Sequence, residues 1–214
     1  MTNSSSNSRG RRGRPPGGSS DETRQALMDV ARRLFAESGY ASTSLVAVAR
    51  EVGIASSAVY HYFSGKDQLY RAVFEDTAPI IWERMYESIL PCESMIEGVE
   101  ILLRGRGGQR LPFQSHFLAG MPTVARLHAE LSDLLVRRTE LQLPVFRHLA
   151  ELGMATGELP GFDVDTGTEL LRTMVMGWFF ERFWHLEDRT GGIDVILVAL
   201  RAIASSVAIG EPQG

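Results

Sequence analysis

The 214-residue chain predicts an all-α protein, with an N-terminal three-helix unit of helix-turn-helix type and a larger helical body behind it. Three observations lead there. Apolar residues recur at helical spacing from Leu27 onward, and the alternation of a half-buried strand is nearly absent. Two short helical patterns meet at a tight turn at Gly53. Longer helical patterns then follow one another to the C-terminus, punctuated by glycine and proline.

Composition narrows the class. With 44% apolar residues the chain can bury a core without disulfides or structural metal. The single cysteine, Cys92, cannot form a disulfide within the chain, and no Cys/His cluster has zinc spacing. A reducing, cytoplasmic setting without metal or cofactor is therefore expected. The polar N-terminus lacks the apolar run of a signal peptide. Residues 193–209 are strongly apolar, but the run is short and carries Asp194 and Arg201, so a buried helix is expected rather than a membrane span. The net charge of −4 is uneven. Residues 1–20 carry +4, residues 21–70 carry −1 and residues 71–214 carry −7. A basic tail on an acidic body points the N-terminal end toward a polyanion.

The elements follow in order. Residues 1–20 contain no Leu, Ile, Val or aromatic residue, which predicts a disordered basic arm. Leu27, Val30, Ala31, Leu34 and Phe35 share one helical face, with Ser20 or Asp21 as cap and Gly39 as the end. Thr43 or Ser44 caps a second helix carrying Leu45, Val48, Ala49 and Val52 inward. Gly53 closes it. Ser56 is the expected cap of a third helix that turns Val59 and Phe63 into the core. Further helices are expected at 67–90, 94–104, 112–119, 123–152, 164–187 and 193–208. Pro122 separates two of them, and Pro144 is expected to kink or split the longest. The organisation read from this is an arm at 1–20, a helix-turn-helix unit at 21–70, and a larger helical body at 71–210.

The stretch "SSAVYHYFSGK", residues 56–66, contains the only lysine of the chain against 21 arginines. With Val59 and Phe63 inside, Ser56, Ser57, Tyr60 and His61 remain outside. Small hydroxyls allow close approach to a groove wall, and tyrosine or histidine can donate to phosphate. Lys66 opens the next helix, where its charge adds to the positive helix end and both attract phosphate. The sequence "TSLVAVAREVGIASSAVYHYFSGKDQL" (43–69) resembles the helix-turn-helix signature of the TetR family of bacterial transcriptional regulators. The preceding "RQALMDVARRLFAESGYASTS" is similar to that family's first helix. The resemblance implies DNA-backbone contacts from Thr43, Tyr60, His61 and Lys66, and base or groove contacts from Ser56, Ser57 and Arg50. Two positions depart from the family pattern. Ala58 stands where glycine is usual, and Gly65 where a small polar cap is common, leaving Ser64 or the glycine backbone to cap.

Within the arm, Arg12-Gly13-Arg14-Pro15 resembles the core of an AT-hook, in which a slim backbone lets Arg12 and Arg14 reach an A·T-rich minor groove. The alternative is a solvated tail that only adds positive charge.

In the body, residues 170–186 and the last helix carry more apolar surface than one partner face each can cover, which predicts an intermolecular contact. Leu171, Val175, Trp178, Ile196, Leu200 and Ile203 are its candidate residues, and the resemblance implies a homodimer closed by the last two long helices. The resemblance also implies a cavity for an unknown small-molecule effector among the middle helices. Trp82, Met85, Tyr86, Phe113, Phe117, Met121 and His148 are its candidate lining, with Gln114, His116 and Arg126 as further polar handles, and a mostly apolar ligand is expected. The sum is a dimeric regulator of a double-stranded operator, a repressor released by its effector, acting without catalysis. Two other classes compete: a small all-α enzyme, for which no Gly-rich phosphate loop, nucleophile motif or paired acid–base cluster is visible, and an architectural A·T-rich DNA binder acting through the arginine tail.

Overall fold

The computed structural model describes residues 19–104, 114–184 and 191–206, and all regular structure among them is helical. Helix α1 (Ser20–Ser42) begins at a capping box. Ser19 Oγ accepts from the Glu22 N–H at 3.2 Å, and the Glu22 carboxylate accepts from the Ser19 N–H at 2.7 Å. The cap therefore lies just before the expected Ser20 or Asp21, because only Ser19 has an acidic residue three positions on. Gly39 ends the first helical run, as expected. Its φ of 79° lies in the range open to glycine, and a short second run beyond it, up to Ser42, carries Tyr40 into the core.

Helix α2 (Leu45–Val52) is capped by Ser44, whose hydroxyl oxygen accepts from the Ala47 N–H at 3.1 Å, and is closed by Gly53 at φ 83°. The expected third helix is shorter and tighter. Ala58–His61 forms a 3₁₀ segment, and neither Ser56 nor Ser57 caps it through a side chain. Four residues between two turns cannot propagate an α ladder, so the tighter winding satisfies the backbone instead.

Helix α3 (Lys66–Ile89) starts at Gly65, which offers no side-chain cap. The Ser64 N–H donates to Gln68 Oε1 at 2.5 Å in its place. α3 runs through Pro79 and buries Leu69, Tyr70, Val73 and Phe74. These side chains share one core with Leu27, Met28, Ala31 and Phe35 of α1 and Leu45, Val48 and Ala49 of α2. Arg32 of α1 ties the two long helices together, donating to Asp76 Oδ2 at 2.5 Å and Thr77 Oγ1 at 2.7 Å.

The body continues through α4 (Met95–Arg104), α5 (Gln114–Leu127), α6 (Asp133–Ala155), α7 (Val164–Trp184) and α8 (Gly191–Ser205). The expected break at Pro122 is corrected: this proline sits inside α5, and the chain leaves helical geometry at His128, whose ring packs on Tyr40 with centroids 4.5 Å apart. A 3₁₀ segment, Ala129–Leu131, then leads into α6. Pro144 does not split α6, which continues on both sides of it. α6 packs along α7 and α3, and α4 comes close to α6 at Gly98, where an added Cβ would overlap Leu149.

Candidate nucleic-acid interface

The segment from Ser56 to Phe63 separates an inner from an outer face. Val59 is 0% exposed and Phe63 is buried beside it, with the Arg24 guanidinium over the Phe63 ring at 5.1 Å. Ser56, Ser57, Tyr60 (55% exposed) and His61 lie on the surface of the same segment, and Tyr62 and Ala58 are half-buried. Arg50, also exposed, stands in the last turn of α2. α2 is held against α1 by the ion pair from Arg33 of α1 to Glu51. The outer strip therefore carries two small hydroxyls, a phenol, an imidazole and a guanidinium on a locked support.

Two of the residues expected at the DNA backbone are differently employed. Thr43 is 4% exposed, and its hydroxyl donates to the Gly39 carbonyl at 2.9 Å. The expectation of a Thr43 hydroxyl facing phosphate is corrected: the extra turn after Gly39 draws Thr43 inward, and Ser44 takes the exposed cap position. Lys66 is half-buried, and its Nζ donates to the carbonyls of Tyr40 (2.9 Å) and Ala41 (3.3 Å). The same ammonium lies 4.3 Å from the Tyr40 ring centroid. Its charge thus meets the negative end of α1 and an aromatic face, rather than standing free at the start of α3.

The residues expected to line one cavity fall into two groups. Phe117 packs on Tyr70 (4.8 Å) and Phe35 (6.2 Å), in a cluster that continues through Tyr40 to His128. This cluster joins α1, α3 and α5. Burial, with Tyr40 adding to it, holds the Tyr70 phenol well above its ordinary range. Burial, then Asp67 and Glu130, raises Tyr40. The second group lies farther along α3 and α6, where Trp82 meets Phe146 at 6.4 Å and Tyr86 meets His148 edge-on at 5.6 Å. His148 Nε2 is buried and makes no hydrogen bond among the described residues. Met121 is fully buried and Met85 half-buried. Phe113, Arg12 and Arg14 lie outside the described residues, as do the side chains of Gln114 and His116.

The candidate dimer residues are corrected more broadly. Leu171, Val175 and Leu200 are fully buried, Trp178 nearly so, and Ile196 and Ile203 half-buried. The first four belong to the core, while Ile196 and Ile203 pack against it and keep part of their surface outside. The outer faces of α7 and α8 present Thr173, Gly177, Phe180, Val195 (68% exposed), Val198 (62%) and Ala202. A helix apolar on most of its circumference does not reveal by spacing which stripe turns inward.

Sequence reasoning also missed the tie between α3 and the start of α6. Arg71 donates to both Asp133 oxygens, at 2.5 and 2.7 Å, and to the Glu130 carbonyl at 2.6 Å. That fork lowers the Asp133 carboxyl from its ordinary range. A pair so far apart in sequence leaves no local pattern to read.

The family model for bacterial regulatory proteins of the tetR family matches residues 27–73, which span α1, α2, the 3₁₀ segment and the start of α3. Residues 27–73 therefore carry the TetR-family signature. Over 54 residues, a quarter of each chain, the protein is 43% identical to the transcriptional regulator AcrR of Shigella flexneri. Over 190 residues it is 25% identical to the regulator SrpR of Pseudomonas putida, covering 84% of this chain and 83% of that one. Its fold is similar to that of a Saccharomonospora viridis protein classed as a transcriptional regulator and solved in complex with choline. The TM-score is 0.69 at 16% identity, over 87% of this chain and 97% of the other. The chain is a DNA-binding transcriptional regulator. Among the described residues, no helix is long and apolar enough to cross a membrane, and no group of three or more His, Cys, Asp or Glu could hold a metal ion.

Proposed function

We propose that the chain is a dimeric cytoplasmic repressor that holds a palindromic operator through residues 21–70 and lets go when a small molecule enters the body, with no catalytic step. Ser56, Ser57 and Arg50 read the groove, while Tyr60 and His61 hold the backbone on either side. The single observation supporting this is the split of the 56–63 segment, with Val59 and Phe63 locked in the core and the polar side chains outside. A strip of this kind has the size and chemistry of a major-groove reader. Lys66 contributes indirectly, by fixing the start of α3 to the end of α1, and its third proton remains for phosphate. Residues 1–20 add positive charge, with Arg12 and Arg14 following the minor groove.

Dimerisation places two such strips on one face of DNA. The exposed Val195 and Val198 of α8 supply its apolar surface, in place of the buried residues first expected. Arg71 and the His128–Tyr40 contact connect the α5–α6 junction to the DNA-binding unit, so a rearrangement of the body reaches α1 and α3. The choline-bound neighbour supports a small-molecule site in this fold. The test is selection of bound duplexes from a random pool at near-physiological salt. The expected product is a palindrome with half-sites about one helical turn apart. Enrichment of featureless A·T-rich DNA alone would overturn the proposal.

A further inference from the structure

The seam between α6 and α7 contains a guanidinium without a counter-charge among the described residues. Arg138 stands in the second turn of α6 and is half-buried. With the Gln142 amide oriented by its partners, its oxygen accepts from Arg138 Nε at 3.1 Å and from Nη2 at 3.2 Å. Nη2 also lies 3.6 Å from Met176 Sδ on α7. Gln142 is itself 0% exposed. These neutral groups are the only partners of Arg138 among the described residues, and the Nη1 protons have no acceptor there. Arg32 of α1, whose side chain is 15% exposed, shows the usual solution: Asp76 and Asp29 both pair with it. Nearby Arg172 is paired with Glu169 at 2.6 Å. The seam is thus left with one positive charge in excess.

A guanidinium cannot shed that charge at neutral pH. Burial, and then the charge of Arg172, pushes Arg138 down only to about 10. A buried charge without an anion is unfavourable, and a planar fork with free N–H groups is built for a planar anion. One excess charge calls for a monoanion, and so for a carboxylate in preference to a doubly charged phosphate. One turn beyond Gln142 on the same helix is Phe146, which meets Trp82 and begins the apolar part of the body.

We propose that Arg138, assisted by Gln142, binds the carboxylate of an amphipathic small-molecule effector whose apolar part extends toward Phe146 and Trp82. This rests on the effector reading above and gives it a chemical class.

The test uses the full-length protein with straight-chain alkanoates from butanoate to hexadecanoate, each beside the primary alcohol of equal length. Thermal shift finds binders and calorimetric titration ranks them. At least one alkanoate should bind roughly tenfold more tightly than its alcohol, the worth of a charge-assisted fork. Arg138→Met should abolish that preference and leave alcohol binding intact; Arg138→Lys, which keeps the charge but not the fork, should fall between. Alkanoates that bind no better than alcohols would overturn the carboxylate and leave the effector site standing. Silence from both series would overturn both. Unliganded Arg138→Met should melt at a higher temperature with its assembly mass unchanged, since an uncompensated charge has been removed. A lower melting temperature with loss of the dimer would mean that a partner subunit's carboxylate neutralises Arg138, and would overturn the proposal.

Discussion

Lys66 shows how one residue can be placed correctly and still be understood differently. Its position at the head of α3 is plain in the sequence, and so is its singularity among 21 arginines. What no local pattern contains is that Tyr40 and Ala41, about 25 residues earlier, offer it two carbonyls and a ring. Those carbonyls exist only because α1 resumes for a turn after Gly39. Thr43 is drawn inward by the same turn, which is why its expected DNA role fails while Ser56, Ser57, Tyr60 and His61 lie outside as the period of the apolar positions requires. Arg substitution at Lys66 keeps charge but not the compact fit between two carbonyls. Lys66→Met should lower stability by about 1–2 kcal/mol, the scale of a partly buried charged hydrogen bond, in urea unfolding followed by circular dichroism. No loss of stability would return the lysine to a purely DNA-facing role.

At the scale of elements, helices were legible wherever apolar periodicity ran unbroken, as in α3, α4 and α8. The boundaries that went astray are those set by tertiary contacts. Pro122 reads as a breaker, yet α5 absorbs it, since a proline removes only one donor from a helix held by Phe117, Met121 and Ala125 in the core. His128 reads as nothing in particular and is where the helix stops, because its ring is taken up by Tyr40. The junction that follows is clamped by Arg71 and Asp133, and the clamp has a pH signature. The Arg71 fork holds the Asp133 carboxyl below its ordinary range, so its contribution is present above the unfolded carboxylate range and is lost as pH falls through the lowered value. Asp133→Asn should therefore lower the melting temperature at pH 7 and leave it nearly unchanged at pH 3. Because Asp133 is well exposed, the difference will be small. Equal losses at both pH values would assign the effect to packing.

For the whole molecule, sequence patterning established an all-helical chain with a helix-turn-helix at its start, but not which side of α7 and α8 faces out. Leu171, Val175 and Leu200 satisfy the body's own core, and Val195 and Val198 remain exposed beside them on α8. Val198→Asp should convert the proposed dimer to monomers in multi-angle light scattering while preserving the helical signal, since a desolvated carboxylate at an apolar contact has nothing to pair with. An unchanged dimer mass would place the interface elsewhere. DNA affinity should fall with the dimer, because two half-sites then bind independently.

The most direct test of the account is the affinity of Tyr60→Ala for the duplex that selection yields, measured by fluorescence anisotropy beside Phe63→Ala. Tyr60 is exposed and Phe63 buried on the same short segment. Tyr60→Ala is predicted to weaken binding roughly tenfold at unchanged stability, as the loss of one phosphate-directed contact should. Phe63→Ala should instead lower stability by about 3–5 kcal/mol. If Tyr60→Ala binds the duplex as tightly as the unaltered chain, the outer strip is not the DNA-reading face and the central claim is wrong.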